Sequence, residues 1–117
     1  MRGRFRIRWT MLVAGAAALA AGTAAAQDAA QATAALRTRS LAGQCAQCHG
    51  TDGHAPAGTL PGALAGMPAA TLIEQMKAFR SGSRPSTVMQ QLARGFSDAQ
   101  VEQLARYFAA LPPGGAP

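Results

Sequence analysis

Aromatic and acidic residues are scarce in this sequence, and cysteine occurs only twice. The 117 residues include one Trp, one Tyr, four Phe and five Asp plus Glu. No segment shows the alternation of apolar and polar residues that is typical of strands. This absence excludes the parallel sheet that a thioredoxin-like fold requires, and it predicts an all-α fold.

Long apolar runs are also missing, except for a short one near the N-terminus. It extends from Trp9 to about Gly22, follows four arginines at positions 2, 4, 6 and 8, and precedes Ala24-Ala25-Ala26. A basic start, a short apolar middle and a small-residue ending make up a secretory signal peptide. We predict a signal peptide over residues 1–26, a periplasmic location and no stable membrane anchor after cleavage. A retained anchor is the alternative, although the run is shorter than the ~20 residues that span a bilayer.

The excess of positive charge belongs largely to that segment. The whole chain carries 11 Lys plus Arg and a formal net charge of +6. Four of the arginines precede the predicted cleavage site, whereas all the acidic residues follow it. The mature chain is therefore only weakly basic, and we expect no nucleic-acid partner.

Glycine and proline divide the mature chain into helices and loops. Residues 50–66 are rich in both and predict a loop, and residues 112–117 predict a disordered tail after a single domain over 27–111. Three predicted helices extend over Gln27 to about Gln47, Pro68 to Ser81 and Val88 to Ala93. A last helix is predicted to begin at a capping box formed by Ser97 and Gln100 and to end before Pro112.

Such a short chain with few aromatic residues buries little apolar surface. The mature part lacks Trp and has three Phe, at positions 79, 96 and 108. We therefore expect something other than side chains to complete its core.

Cys45, Cys48 and His49 form the pattern C-x-x-C-H, which is the attachment signature of c-type haem. On a helical turn, residues i and i+3 lie on the same side. The two sulfurs can then bond to the two vinyl groups of one porphyrin, and the His49 imidazole can reach the iron. The pattern predicts one covalent haem c, held by both cysteines, with His49 as an axial ligand of the iron.

Three other interpretations of the motif are weaker. A redox-active cysteine pair of the thioredoxin type lacks its sheet. A structural zinc site would need four ligands, with His54 added in a cramped loop. A disulfide between Cys45 and Cys48 would be strained and would leave His49 without a role.

The motif and the segments after it resemble class I c-type cytochromes. These segments are CAQCHGTDG from residue 45, LPGALAGM from residue 60 and LIEQMKAFRSGSRPSTVMQQLARGFSDAQVEQLARYFAAL from residue 72. Within the family, the sequence is most similar to the cytochrome subunit of flavocytochrome c sulfide dehydrogenase. The resemblance extends from Leu41 to Leu111, and it implies three to five helices wrapped around one haem.

The resemblance also implies the other contacts of the haem site. The methionine of STVM, Met89, would be the second axial ligand; the residues alone leave Met67, Met76, His54 or an open position as alternatives. A proline carbonyl would accept a hydrogen bond from His49. Pro61 matches this proline best, with one extra residue after it compared with the commoner P-x-L-A-G form, and Pro56 is the alternative.

The function that follows is electron transfer by haem iron cycling between Fe(II) and Fe(III), and not catalysis by this chain itself. The expected partner is a flavoprotein sulfide dehydrogenase subunit or another redox protein. A free soluble carrier between a dehydrogenase and a terminal oxidase is the alternative. Four cations are either docking residues or ordinary solvated side chains, namely Lys77, Arg80, Arg94 and Arg106.

Overall fold

The computed structural model describes the backbone of residues 4–56, 58–59 and 61–114, and side chains within these ranges from residue 23 onward. Within them the chain forms four α-helices and one 3-10 turn, and no strand. The predicted all-α fold is thus confirmed. The elements are α1 (Arg4–His49), the 3-10 turn (Thr51–Gly53), α2 (Ala69–Ser81), α3 (Met89–Arg94) and α4 (Asp98–Ala109).

Helix α1 is longer than predicted. It has 46 residues and begins at Arg4 rather than near Gln27, because an alanine-rich sequence without Pro favours helix throughout. The chain separates into two compact units, residues 1–36 and 37–117. The predicted signal peptide falls mostly on residues whose side chains lie outside the described part, and it stays a prediction. Of the helices searched in the described part, none combines the length and hydropathy of a membrane span.

Helices α2 and α4 begin and end where local signals place them. Pro68 precedes α2, and Gly82 ends it in the left-handed conformation (φ 82°), with its N–H donating to the Phe79 carbonyl. At the start of α4 the Gln100 N–H donates to Ser97 Oγ (3.2 Å) and the Ser97 N–H donates to Gln100 Oε1 (2.8 Å). The predicted capping box is therefore present.

The core of the second unit is formed around one face of α4. Phe108 and Leu104 are its largest fully buried side chains. Helix α2 contributes Leu72 and Met76 to the same cluster, so Met76, an alternative ligand on sequence grounds, is a core residue. Ala42, Ala93, Val101 and Ala105 complete it.

Eleven apolar side chains surround the eight residues of this core. They are partly exposed and pack against it from every helix and from the loop before α2. They are Leu41, Cys45, Leu64, Met67, Ala69, Ile73, Phe79, Met89, Phe96, Tyr107 and Leu111. The expectation that something other than side chains completes the core stays a prediction.

The segment after α4 lies against the glycine-rich loop. The Pro112 carbonyl accepts a hydrogen bond from His54 Nε2 at 3.0 Å, and the Gly66 N–H donates to the Phe108 carbonyl at 2.9 Å. These contacts bring His54 and Gly66 next to the end of α4. Of the tail predicted to be disordered, residues 115–117 lie outside the described part, and the prediction stays open.

Candidate functional site

Both cysteines lie in the last turns of α1. Cys45 is half-buried and Cys48 is exposed, and both are free thiols. Burial raises the pKa of the Cys45 thiol, so this group is protonated at neutral pH. Because neither cysteine forms a disulfide, both thiols are available for bond formation at one end of a single helix.

The imidazole of His49 is oriented by a backbone carbonyl. Its Nδ1 lies 2.7 Å from the carbonyl oxygen of Gly62. Because a carbonyl oxygen only accepts, Nδ1 carries the proton, and in the neutral imidazole Nε2 then keeps its lone pair. This is the tautomer that can bind a metal through Nε2.

The acceptor is not the residue that the resemblance implied. Pro61, the expected partner of His49, is exposed, and the hydrogen bond goes to the next carbonyl along the chain. The extra residue in this loop, compared with the commoner family form, accounts for a shift of one position. Pro56, the alternative, accepts instead from Thr59 Oγ1 at 2.7 Å.

A tight turn directly after His49 makes this hydrogen bond possible. Gly50 has φ 81° and Asp52 has φ 51°, both in the left-handed region. A Cβ on Gly50 would lie 2.5 Å from the His54 carbonyl oxygen, so only glycine fits there. The Gly53 carbonyl then accepts from the Leu64 N–H at 2.8 Å, which returns the loop towards the motif.

Asp52 fastens this turn to two helices. Its Oδ1 accepts from Tyr107 Oη at 2.7 Å, and its Oδ2 lies 3.4 Å from an Arg39 nitrogen. Desolvation and the bond to Asp52 raise the pKa of the Tyr107 hydroxyl. Sequence reasoning did not single out Asp52, although an Asp directly before a glycine after the motif is a turn signal.

The candidate methionines differ in their surroundings. Met76 is buried in the core, whereas Met67 and Met89 are half-buried beside it. Met89 opens α3, and its N–H donates to Ser86 Oγ at 3.1 Å. Val88 and Leu92, on either side of Met89 in sequence, are 58% and 47% exposed.

These residues fit a covalent haem. Two free thiols stand one helical turn apart, the adjacent imidazole has an available Nε2, and many apolar side chains around the core are only partly covered. His54, the additional ligand that a zinc site would need, instead binds the Pro112 carbonyl. In the part of the chain that was searched, no three or more His, Cys, Asp or Glu side chains are grouped as a metal site.

Comparison with curated proteins finds cytochromes and electron acceptors. The chain is 42% identical over 77 residues to a thiosulfate dehydrogenase electron acceptor of Thiomonas intermedia, covering 65% of this chain and 35% of that protein. It is 39% identical over 67 residues to cytochrome c-552 of Acidithiobacillus ferridurans, covering 57% and 28%. It is 36% identical over 67 residues to the cytochrome subunit of sulfide dehydrogenase of Chlorobaculum tepidum, covering 57% and 59%.

The chain spans only part of the length of its curated relatives: 28–35% of four of them, which include a second thiosulfate dehydrogenase electron acceptor, and 59% of the cytochrome subunit of sulfide dehydrogenase. No family model matches the chain. The resemblance drawn from the motifs is nevertheless confirmed, because homologues at 36–42% identity are members of the cytochrome c family.

Proposed function

We propose that this chain is an electron-transfer protein that carries one haem c, bound covalently to Cys45 and Cys48, with His49 and Met89 as axial ligands. The observation that supports it most is the 2.7 Å contact from His49 Nδ1 to the Gly62 carbonyl. This contact leaves Nε2 of His49, the residue directly after Cys48, able to bind iron. Export to the periplasm after removal of residues 1–26 belongs to the same proposal.

Each part of the chain has a defined role in this scheme. When bound, the haem supplies one-electron exchange between ferrous and ferric iron. The two thiols would fix it to α1, the Gly62 carbonyl holds the imidazole plane, and Met89 would offer a thioether from the first residue of α3. The partly covered apolar side chains would keep water from the site. Because His49 and Met89 would both bind the iron, we assign the chain no substrate turnover of its own.

The names of the relatives support a partner in sulfur oxidation. One is the cytochrome subunit of sulfide dehydrogenase and two are thiosulfate dehydrogenase electron acceptors. We propose that the chain accepts electrons from a flavoprotein sulfide dehydrogenase subunit. A free carrier between a dehydrogenase and a terminal oxidase is the second candidate, and the two electron acceptors among the relatives favour it.

Covalent attachment is tested by purification from a host that matures c-type cytochromes. After denaturation, the haem colour should stay with the polypeptide of the full chain. It should be lost when Cys45 and Cys48 are both changed to Ala and kept in His54→Ala, the matched control outside the motif. Colour that separates from the denatured wild-type chain would refute the proposal.

The second axial ligand is tested by methionine substitution. Met89→Ala should abolish the sulfur-to-iron absorption at the red end of the ferric spectrum, whereas Met67→Ala should keep it. The reverse result would assign the ligand to Met67.

The partner is tested by what accompanies the mature protein. A flavoprotein that copurifies at one-to-one stoichiometry supports the sulfide dehydrogenase subunit. A monomeric cytochrome that purifies alone from the same organism supports the free carrier.

A further inference from the structure

Arg80, a docking candidate on sequence grounds, points its guanidinium into the protein. Nη1 lies 2.5 Å from Asp98 Oδ1, Nη2 donates to the Phe96 carbonyl at 2.8 Å and Nε donates to the Ala93 carbonyl at 3.2 Å. Its side chain is 32% exposed. Each of the three guanidinium nitrogens therefore contacts one acceptor.

The three acceptors belong to two elements and the turn between them. Ala93 lies in the last turn of α3, Phe96 in the turn and Asp98 at the first position of α4. Carbonyls in the last turn of a helix have no partner within it. A planar guanidinium can supply donors in several directions, which a lysine ammonium on a flexible stem does not reproduce.

The ion pair with Asp98 is maintained at neutral pH. The hydrogen bond and the charge of Arg80 hold the pKa of the Asp98 carboxyl below its usual range, and Lys77 adds a smaller effect. Arg80 thus joins the end of α2 to the start of α4 with α3 fixed between them.

Helix α3 depends on such external contacts. It has six residues, which is too short for a helix to be stable by itself. Ala93 is its only described residue in the buried core, whereas Leu92 is 47% exposed. Ser86 Oγ holds one end, at the Met89 N–H, and Arg80 holds the other.

We propose that Arg80 is a positioning residue, which fixes α3 between α2 and α4 and thereby holds Met89 in place as the axial ligand. This inference rests on the proposed ligation by Met89. Without Arg80, α3 would populate other positions, and the fraction of molecules with Met89 bound would fall.

The experiment measures how readily added imidazole displaces the second ligand in the ferric, haem-loaded full chain. An added ligand binds more tightly in proportion to the fraction of molecules with the site open. We expect an increase of about tenfold in imidazole affinity for Arg80→Ala and of about threefold for Arg80→Lys, from the loss of charge-assisted hydrogen bonds. Arg94→Ala, at an exposed position of α3, is the matched control and should stay within about twofold of wild type.

Hydrogen exchange of the α3 amides provides a readout that does not depend on ligation. Exchange at Leu92 and Ala93 should be faster in Arg80→Ala and Arg80→Lys than in Arg94→Ala. If Arg80→Ala does not fold, Arg80→Lys and Asp98→Asn still apply, since each removes part of the contact set. Wild-type exchange together with wild-type imidazole affinity in the Arg80 variants would overturn the inference.

The outcomes separate this inference from the proposed ligation. Met89→Ala should itself raise imidazole affinity. If it does not, while the Arg80 variants still exchange faster in α3, the assignment of Met89 as ligand fails and the anchoring of α3 by Arg80 is supported.

Discussion

At the scale of single residues, the chemistry of the site depends on contacts that are distant in sequence. His49 acquires a defined tautomer from a carbonyl 13 positions away. Asp52 binds Tyr107, 55 positions further on, and Arg80 binds Asp98, 18 positions further on. Each contact fixes one side chain relative to a segment that carries none of the motif, which is the loop before α2 for His49 and helix α4 for Asp52 and Arg80.

Tyr107→Phe tests the fastening of the turn by Asp52. We expect a loss of about 1 kcal/mol in the free energy of unfolding at neutral pH, because a hydrogen bond to a partly exposed carboxylate is removed. Because the pKa of Tyr107 is raised in the folded state, its contribution is full below its ordinary pKa and is lost as the pH rises through the raised value. The wild type should therefore lose more stability above about pH 10 than the variant does.

Denaturant unfolding of the haem-loaded protein at pH 7 and at pH 11 measures both effects. Arg106→Gln is the control, since its pair with Glu102 is 3.6 Å long and exposed on both sides and should be worth at most about 0.5 kcal/mol. Equal stability of Tyr107→Phe and wild type at pH 7 would show that the contact with Asp52 does not stabilise the fold.

Sequence reasoning could propose the motif residues but not their partners. Cys45, Cys48 and His49 are adjacent in the chain and form a pattern by themselves. The roles of Arg80 and Asp52 depend on which carbonyls and carboxylates the fold brings near them. Gly62 in place of Pro61 shows the same limit, because the extra loop residue is visible in the sequence but the carbonyl that faces His49 is not.

At the scale of secondary-structure elements, local signals predicted the boundaries that they control. Pro68, Gly82 and the capping box at Ser97 act within a few residues, and α2 and α4 begin and end beside them. The start of α1 has no such signal, because its alanine-rich sequence continues without a break. The 3-10 turn at Thr51–Gly53 was not predicted, because the composition of its segment indicates only a loop.

Gly50→Ala tests the turn that ends α1. The added Cβ would lie 2.5, 2.7 and 2.9 Å from three backbone atoms of His54 and Ala55, at a φ of 81°. We expect the variant to lose about 3 kcal/mol or more of stability, since none of these backbone atoms can move aside without shifting the loop. The measurement is the denaturation midpoint and the yield of haem-loaded protein.

Gly43→Ala is the matched control within α1. A Cβ there would meet no atom within 4 Å, and replacing glycine by alanine in a helix is expected to add up to about 1 kcal/mol. Opposite signs for the two substitutions would support the assigned geometry. A harmless Gly50→Ala would contradict it.

At the scale of the whole molecule, a small core is surrounded by apolar side chains that are only partly covered. Phe108 and Leu104 are the largest side chains fully buried in it. The sequence predicted this shortage from its few aromatic residues. It could not predict which side chains would be left at the margin, because that depends on how the helices pack.

We expect the fold to depend on the bound group. A chain with Cys45→Ala and Cys48→Ala should show little cooperative thermal unfolding by circular dichroism. The reason is that this variant loses the free energy of haem binding, which stabilises the folded state of the wild type. His54→Ala, which leaves the motif intact, should still melt cooperatively. A sharp transition in the double variant would show that the polypeptide folds without help.

The bond from His49 to a main-chain oxygen has a consequence for how this protein can change. Every amino acid carries a carbonyl, so no substitution at position 62 deletes the acceptor. Adding or removing a residue between the imidazole and that oxygen would present a different carbonyl to the ring. A substitution in this stretch, or a change of one residue in its length, should therefore still leave His49 with a main-chain acceptor.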